Sequence, residues 1–380
     1  MVDFSKAFNR QNHNILITKL SDMGVPGWLL KLAIAFLTNR KMSVKFKGKQ
    51  SSVKNLPGGG PQGTLLALIL FIILINDIGF EEQKNNTGEL ITCKRNLKTV
   101  NEIHLKFVDD LTLAEAINLP EKLVKVPASD RPQPDNYHAR TGHVLPPLNS
   151  KIHKQLEKTK IYAMENEMKL NYKKTKLIVF NPCRSLDFMP EICLDNQELE
   201  VVEEIRILGL IMRSDMRWVS NTDSMVKKAN KRLWLLRRLK NLGAKQDQLV
   251  EVYAKQVRCI VELAVPAWQG SITISEKQDL ERIQKSACHI ILGDSYICYS
   301  NALNILNLDT LEARRIKLTL NFALKAEKHT KFKAWFKLAS KTANTRRTPN
   351  KYCDVVANHA RFEKSPLSYI TRLLNMYHSK

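Results

Sequence analysis

Ile103-His104-Leu105-Lys106-Phe107-Val108-Asp109-Asp110-Leu111-Thr112-Leu113-Ala114 is the stretch from which the rest of this chain can be read. Ile103, Leu105 and Phe107 alternate with His104, Lys106 and Val108, the two-residue period of a strand. Residues 111–114 read as its return, so Asp109 and Asp110 would crown a hairpin. Far upstream, Val2-Asp3-Phe4-Ser5-Lys6-Ala7-Phe8 supplies a third aspartate on a second apolar strand. Between them lies Gly59-Gly60-Pro61-Gln62-Gly63-Thr64.

Three carboxylates converging from two strands suit an in-line displacement at phosphorus. Two divalent ions about 3.5–4 Å apart can hold the attacking and leaving oxygens. Magnesium prefers oxygen and is held by one or two carboxylates plus substrate phosphates. The plainer reading is a pair of solvated acidic turns. The middle motif argues independently against it. Gly58, Gly59 and Gly60 permit unusual backbone angles and close approach to a ligand. Helix N-terminal amides behind them can meet phosphate, and Gln62 offers donor and acceptor to a nucleotide. The apolar run 65–75 is shorter than the roughly 20 residues that span a bilayer, so it reads as a buried core helix ended by Asn76 and Asp77.

These elements, in this order, resemble the reverse transcriptases of non-LTR retrotransposons of the LINE and jockey-like kind. That family carries an Asp-Phe-Ser-Lys-Ala-Phe element, a Gly-x-Pro-Gln-Gly-Ser/Thr element and a Phe/Tyr-x-Asp-Asp element. The likeness continues through Leu170-Asn171-Tyr172-Lys173-Lys174-Thr175-Lys176, Ile207-Leu208-Gly209-Leu210 and Leu280-Glu281-Arg282-Ile283-Gln284-Lys285, so it spans nearly the whole chain. It implies an α+β polymerase palm, an antiparallel sheet backed by helices, with a helical thumb and a helical C-terminal region. It further implies RNA-directed DNA synthesis with two Mg²⁺ ions, or Mn²⁺ in their place. The partners would be an RNA template, a DNA primer and deoxynucleoside triphosphates.

By the same resemblance Asp3, Asp109 and Asp110 are the metal ligands. Phe8 is the bulky residue under the sugar that excludes a 2′-hydroxyl. Gly60, Pro61, Gln62 and Gly63 approach the incoming nucleotide, and Lys174 acts near the pyrophosphate. Some positions depart from the family. Asn9 stands where the family usually has Asp, and Leu66 and Ala67 replace usual small residues. The family carries a fingers region before the first aspartate, which here is the third residue. The expectation is therefore an N-terminally truncated enzyme, impaired in polymerisation when alone. A non-catalytic nucleic-acid-binding remnant is the alternative. An RNA-dependent RNA polymerase shares the metal logic, but Phe8 argues against it.

Composition points the same way. The chain has 380 residues and a formal net charge of +23, which favours a polyanion partner and salt-dependent binding. No lipidation motif, apolar span or secretory signal is evident, so an intracellular protein without membrane contact is expected. The resemblance implies nucleus and cytoplasm. Seven cysteines form no close pairs and read as reduced packing residues. The adjacent Cys288 and His289 lack companions for a zinc site.

Periodicity predicts helices over residues 13–22, 27–37 and 149–168, a hairpin around Gly48, and a strand over 176–180. Residues 81–99 read as a polar loop and the Pro-rich 122–148 as an irregular insertion. The palm would close near residue 182. Short hairpins over 187–212 then lead to a basic helix with Val226, Ala229, Leu233 and Leu236 on one stripe and Asn221 or Thr222 as its cap. Its cations Lys227, Lys228, Lys231, Arg232, Arg237 and Arg238 suit a phosphate backbone, while Trp218 and Trp234 read as core residues or base-stacking platforms. From 246 to 380 the chain reads as helical, over 247–263, 276–292, 296–306 and 308–329. The basic segment 331–347 carries Trp335 and Phe336.

Overall fold

The alternation around the acidic pair forms the predicted hairpin. The computed structural model describes residues 1–56, 58–61, 63–78, 102–107, 110–115, 151–180, 192–195, 197–330, 332–339, 350–355 and 363–379. The polar loop 81–99 and the insertion 122–148 lie outside them. The fold is mixed α+β, with small antiparallel sheets among many helices. It divides into two compact units, one ending at Val202 and one beginning at Glu203; the sequence reading set its divisions near 182 and 245.

In the first unit α1 (His13–Asp22) and α2 (Gly27–Leu37) occupy the predicted spans. Asn12 caps α1, its side chain accepting from the amides of Asn14 and Ile15. Strand β1 (Arg40–Met42) pairs with β4 (Lys54–Leu56), and β2 (Lys45–Phe46) with β3 (Lys49–Gln50) around Gly48. Next come α3 (Leu65–Asn76), the hairpin β5 (Glu102–Phe107) and β6 (Asp110–Glu115), and α4 (Lys151–Glu165). A small hairpin, β7 (Cys193–Leu194) and β8 (Gln197–Glu198), follows.

The core joins Val2, Phe4 and Leu111 to Leu16, Phe71, Leu74, Leu156 and Leu170. Helix α3 is not buried all round: Leu65, Ile69 and Ile72 are exposed along one stripe, while Leu70, Phe71, Leu74 and Ile75 face the core. Its C-terminal end is held by side chains. Lys19 donates to the Leu74 carbonyl at 2.9 Å and to Asp77 at 2.8 Å. The Tyr162 hydroxyl meets the same two acceptors, and burial with the nearby Asp77 charge pushes that phenol well above its ordinary range.

The strand expected at 176–180 does not form. Lys176 N–H goes to the Met1 carbonyl and Leu177 N–H to that of Glu200. Neighbouring amides with separate partners leave only an isolated parallel bridge, Leu177 to Val201.

The second unit starts with the hairpin β9 (Glu204–Ile207) and β10 (Leu210–Arg213), then α5 (Val219–Asn241). Asn221 and Thr222 do not cap α5, which begins earlier, after Trp218. Both are buried inside its first turn. The Asn221 carbonyl oxygen accepts from Ile211 N–H at 3.1 Å, and Thr222 donates to Glu276 at 3.1 Å.

The helix expected over 247–263 is α6 (Gln246–Val252), a π-helical stretch (Tyr253–Arg258) and α7 (Cys259–Val261). Leu249, Tyr253, Val257 and Val261 are all buried. A four-residue spacing drifts about 40° per step round an α-helix, and the wider π winding turns the stripe back toward the core. Short α8 (Val265–Trp268) precedes α9 (Ile274–Leu292), whose start is a capping box between Thr273 and Glu276. Next come α10 (Tyr299–Leu306), α11 (Leu311–Lys328) and α12 (Pro366–His378).

One core joins α5 to these helices through Leu233, Leu236, Tyr253, Trp268, Leu280 and Leu306. Phe336 is buried in a smaller cluster with Tyr352 and Leu374. Burial pushes the Cys288 thiol up to about 11. Among the described residues no helix is long and apolar enough to cross a membrane.

Candidate functional site

Residues 1–5 form an extended segment between the acidic hairpin and the 169–176 segment. Val2 N–H donates to the Leu111 carbonyl at 2.8 Å, and the two residues form an antiparallel bridge. On the other side Phe4 bridges to Leu170, Ser5 N–H donates to Lys169 at 2.7 Å, and Asn171 N–H donates to the Asp3 carbonyl at 2.8 Å. Val2 and Phe4 are buried in the core. Strand alternation therefore turns Asp3 to the other face, where it is half-buried.

Antiparallel register runs in opposite directions along the two chains. The residue after Val2 therefore stands across from the residue before Leu111, so Asp3 lies opposite Asp110. Directly opposed Cα atoms in such ladders are about 4.5–5.5 Å apart. Asp110 opens β6; Asp109 lies outside the described residues, as does Gln62. Among the described residues no group of three His, Cys, Asp or Glu gathers as a metal cage. The donor set of the proposed site is nonetheless all carboxylate oxygen, the chemistry a hard cation takes.

Lys174 is exposed in the turn beside this segment. Its neighbour Thr175 is buried, accepts from Asp3 N–H at 3.3 Å and donates to the Asn171 carbonyl at 3.0 Å. Asp3 and the Lys174 turn are thus joined directly.

The glycine turn is tied to the same N-terminal region. Gly59 N–H donates to the Gln11 carbonyl at 3.0 Å, and Gly60 N–H to the Phe8 carbonyl at 2.8 Å. Gly59 has φ +76°, and a Cβ there would meet Asn9 Cα and O at 2.9 Å. Arg40 Nη2 donates to the carbonyls of Gly58 at 2.7 Å and Gly59 at 2.6 Å. His13 Nε2 donates to the Gly59 carbonyl at 2.9 Å. Sequence reading missed Arg40, His13 and Gln11, because nothing in their own neighbourhoods marks them; only folding brings them to the turn.

Thr64 caps α3, accepting from Ala67 N–H and donating to the Pro61 carbonyl at 2.9 Å. Gly63, at φ +88°, has open space where a Cβ would stand. Phe8 stacks on Phe71 of α3, with ring centroids 4.4 Å apart and 26° between planes. The first two motifs are therefore packed together.

On α5, Lys227, Lys228, Lys231, Arg232, Arg237 and Arg238 are all exposed. The only acidic residue of that helix is Asp223. Trp234 is 63% exposed, three residues from Lys231 and Arg237 and four from Arg238, so these share a face. Its indole is not a core residue, whereas Trp218 packs against the core. No protein-family model matches the chain, and no curated protein matches it either.

Proposed function

We propose that this chain carries the palm and thumb of an RNA-directed DNA polymerase of the non-LTR retrotransposon type. The observation that supports this reading is the Val2–Leu111 antiparallel bridge, whose register sets Asp3 opposite Asp110. Asp3, Asp109 and Asp110 would hold two Mg²⁺ ions, which when bound supply charge neutralisation at the triphosphate and activation of the primer 3′-hydroxyl. Phe8, steadied by Phe71, is the wall beneath the sugar that refuses a 2′-hydroxyl. The Gly60–Gly63 turn and Gln62 receive the nucleotide, Lys174 serves the leaving pyrophosphate, and α5 follows the primer–template backbone.

The test is primer extension on an RNA template with deoxynucleotides and Mg²⁺. The unmodified chain is compared with an Asp109→Ala plus Asp110→Ala variant. Extension by the first and none by the second is the expected result. Equal signals from both would sink the catalytic assignment.

A second reading, a nucleic-acid-binding protein without catalysis, is supported by the exposed cations and Trp234 on α5. It requires salt-sensitive binding of an RNA–DNA hybrid, no extension by either protein, and no effect of the aspartates.

A further inference from the structure

A cavity of about 600 Å³ opens among α9, α10 and α11. Its wall carries four cations, Lys277, Arg282, Lys285 and Arg315, against two carboxylates, Glu281 and Glu312. Two of the cations are already paired: Lys277 with Glu312 at 3.1 Å, and Arg282 with Asp279.

Arg315 differs from the rest. It is fully buried, at 0% exposure. Its Nε donates to Gln269 at 2.8 Å, but Nη1 and Nη2 have no hydrogen-bond partner. A buried guanidinium with both ends of its fork unanswered is costly. Glu281 does not answer it. One oxygen of that carboxylate accepts from the Tyr299 hydroxyl and from Leu311 N–H at 3.1 Å, so it tempers the charge without meeting the N–H groups. Lys285 stands over the Tyr299 ring, 5.3 Å from its centroid, on the same wall.

Two parallel donors ask for two acceptor oxygens on one atom. We propose that this cavity is an oxyanion site of phosphate chemistry, gripped in bidentate fashion by Arg315 with Lys285 as the outer cation. Its volume lies within the range of small-ligand sites, so a phosphate monoester or one phosphodiester of a strand can enter. The site is separate from the aspartates and from the exposed face of α5.

The test is a ³¹P line-broadening titration of the full chain with inorganic phosphate, at constant ionic strength, alongside melting curves. Wild type is compared with Arg315→Met, Lys285→Ala and, as a control for lost charge, Lys41→Ala plus Lys54→Ala on the exposed β1 and β4. Saturable binding is expected in wild type and control, weakened roughly tenfold or more in Arg315→Met. Should Arg315→Met not fold, loss of the phosphate-induced rise in Tm in Lys285→Ala carries the decision. Wild type that shows no saturable binding, or binding equal in all the folded variants, overturns the proposal. Competition by thymidine 5′-monophosphate but not by a short single-stranded oligonucleotide identifies a free phosphate ligand. Competition by both identifies a strand backbone.

Discussion

Replacing Gly59 with alanine probes the link between the glycine turn and the N-terminal segment. At φ +76° a side chain costs about 1–2 kcal/mol in left-handed backbone. The added Cβ would also meet backbone atoms of Asn9 at 2.9 Å, and such overpacking costs about 1–3 kcal/mol. Reduced freedom of the unfolded chain returns about 0.4–1 kcal/mol. The net loss is then about 2–4 kcal/mol.

Gly63 is the internal comparison. Its φ is +88°, with nothing within 4 Å of a Cβ, so Gly63→Ala carries the backbone cost alone, about 1 kcal/mol. Gly60→Ala falls between. Its Cβ would meet Gln11 Oε1 at 2.6 Å, and a side chain can turn aside more easily than backbone. Two compact units need not melt together, so a single global signal would mix them. Hydrogen exchange against urea, read in peptides from α1 and α3, isolates the first unit. A loss in Gly63→Ala equal to that in Gly59→Ala, or a neutral Gly59→Ala, would refute the close packing of turn and segment.

Two other outcomes follow from the second unit. Lys231→Ala plus Arg238→Ala should lower the salt slope of RNA–DNA hybrid binding by about 0.9 per lost phosphate contact, while thermal stability changes by no more than about 0.5 kcal/mol because both residues are exposed; an unchanged slope would remove α5 from the interface. Burial acts to raise the Glu327 carboxyl, but Lys351 at 2.6 Å, the Tyr352 hydroxyl and His378 at 3.0 Å outweigh it and hold it below its ordinary range. A depressed carboxylate stabilises the fold above the unfolded value of about 4.3 and loses that contribution as pH falls through the folded value. Glu327→Gln should therefore be less stable than wild type at pH 7, by about 1 kcal/mol, and the two urea curves should converge in acid; a gap that persists at low pH would contradict this.

Much of the local structure was legible. Alternation at Ile103–Phe107, the strict bounds of α1 and α2, and the hairpin around Gly48 each follow from short-range pattern. Failures occurred where a distant partner intervened. Asn221 and Thr222 look like caps, yet β10 and Glu276 take their side chains. Residues 176–180 look like a strand, yet their amides go to separate chains of the fold. Trp234 looks like core, but the buried stripe of α5 runs through Ala229, Leu233 and Leu236 and leaves it outside.

By itself, then, the amino-acid order determined which residue types could do chemistry and which segments would be strand or helix. Those are matters of side-chain chemistry and of two- and 3.6-residue periods. Tertiary structure decided which of them meet. The register that faces Asp3 toward Asp110, the pinning of Gly59 by Arg40 and His13, and the burial of Arg315 with its fork unanswered all depend on contacts between residues far apart in the chain. No local pattern records such contacts, because a hydrogen bond or a buried face is a property of two surfaces that only folding brings together.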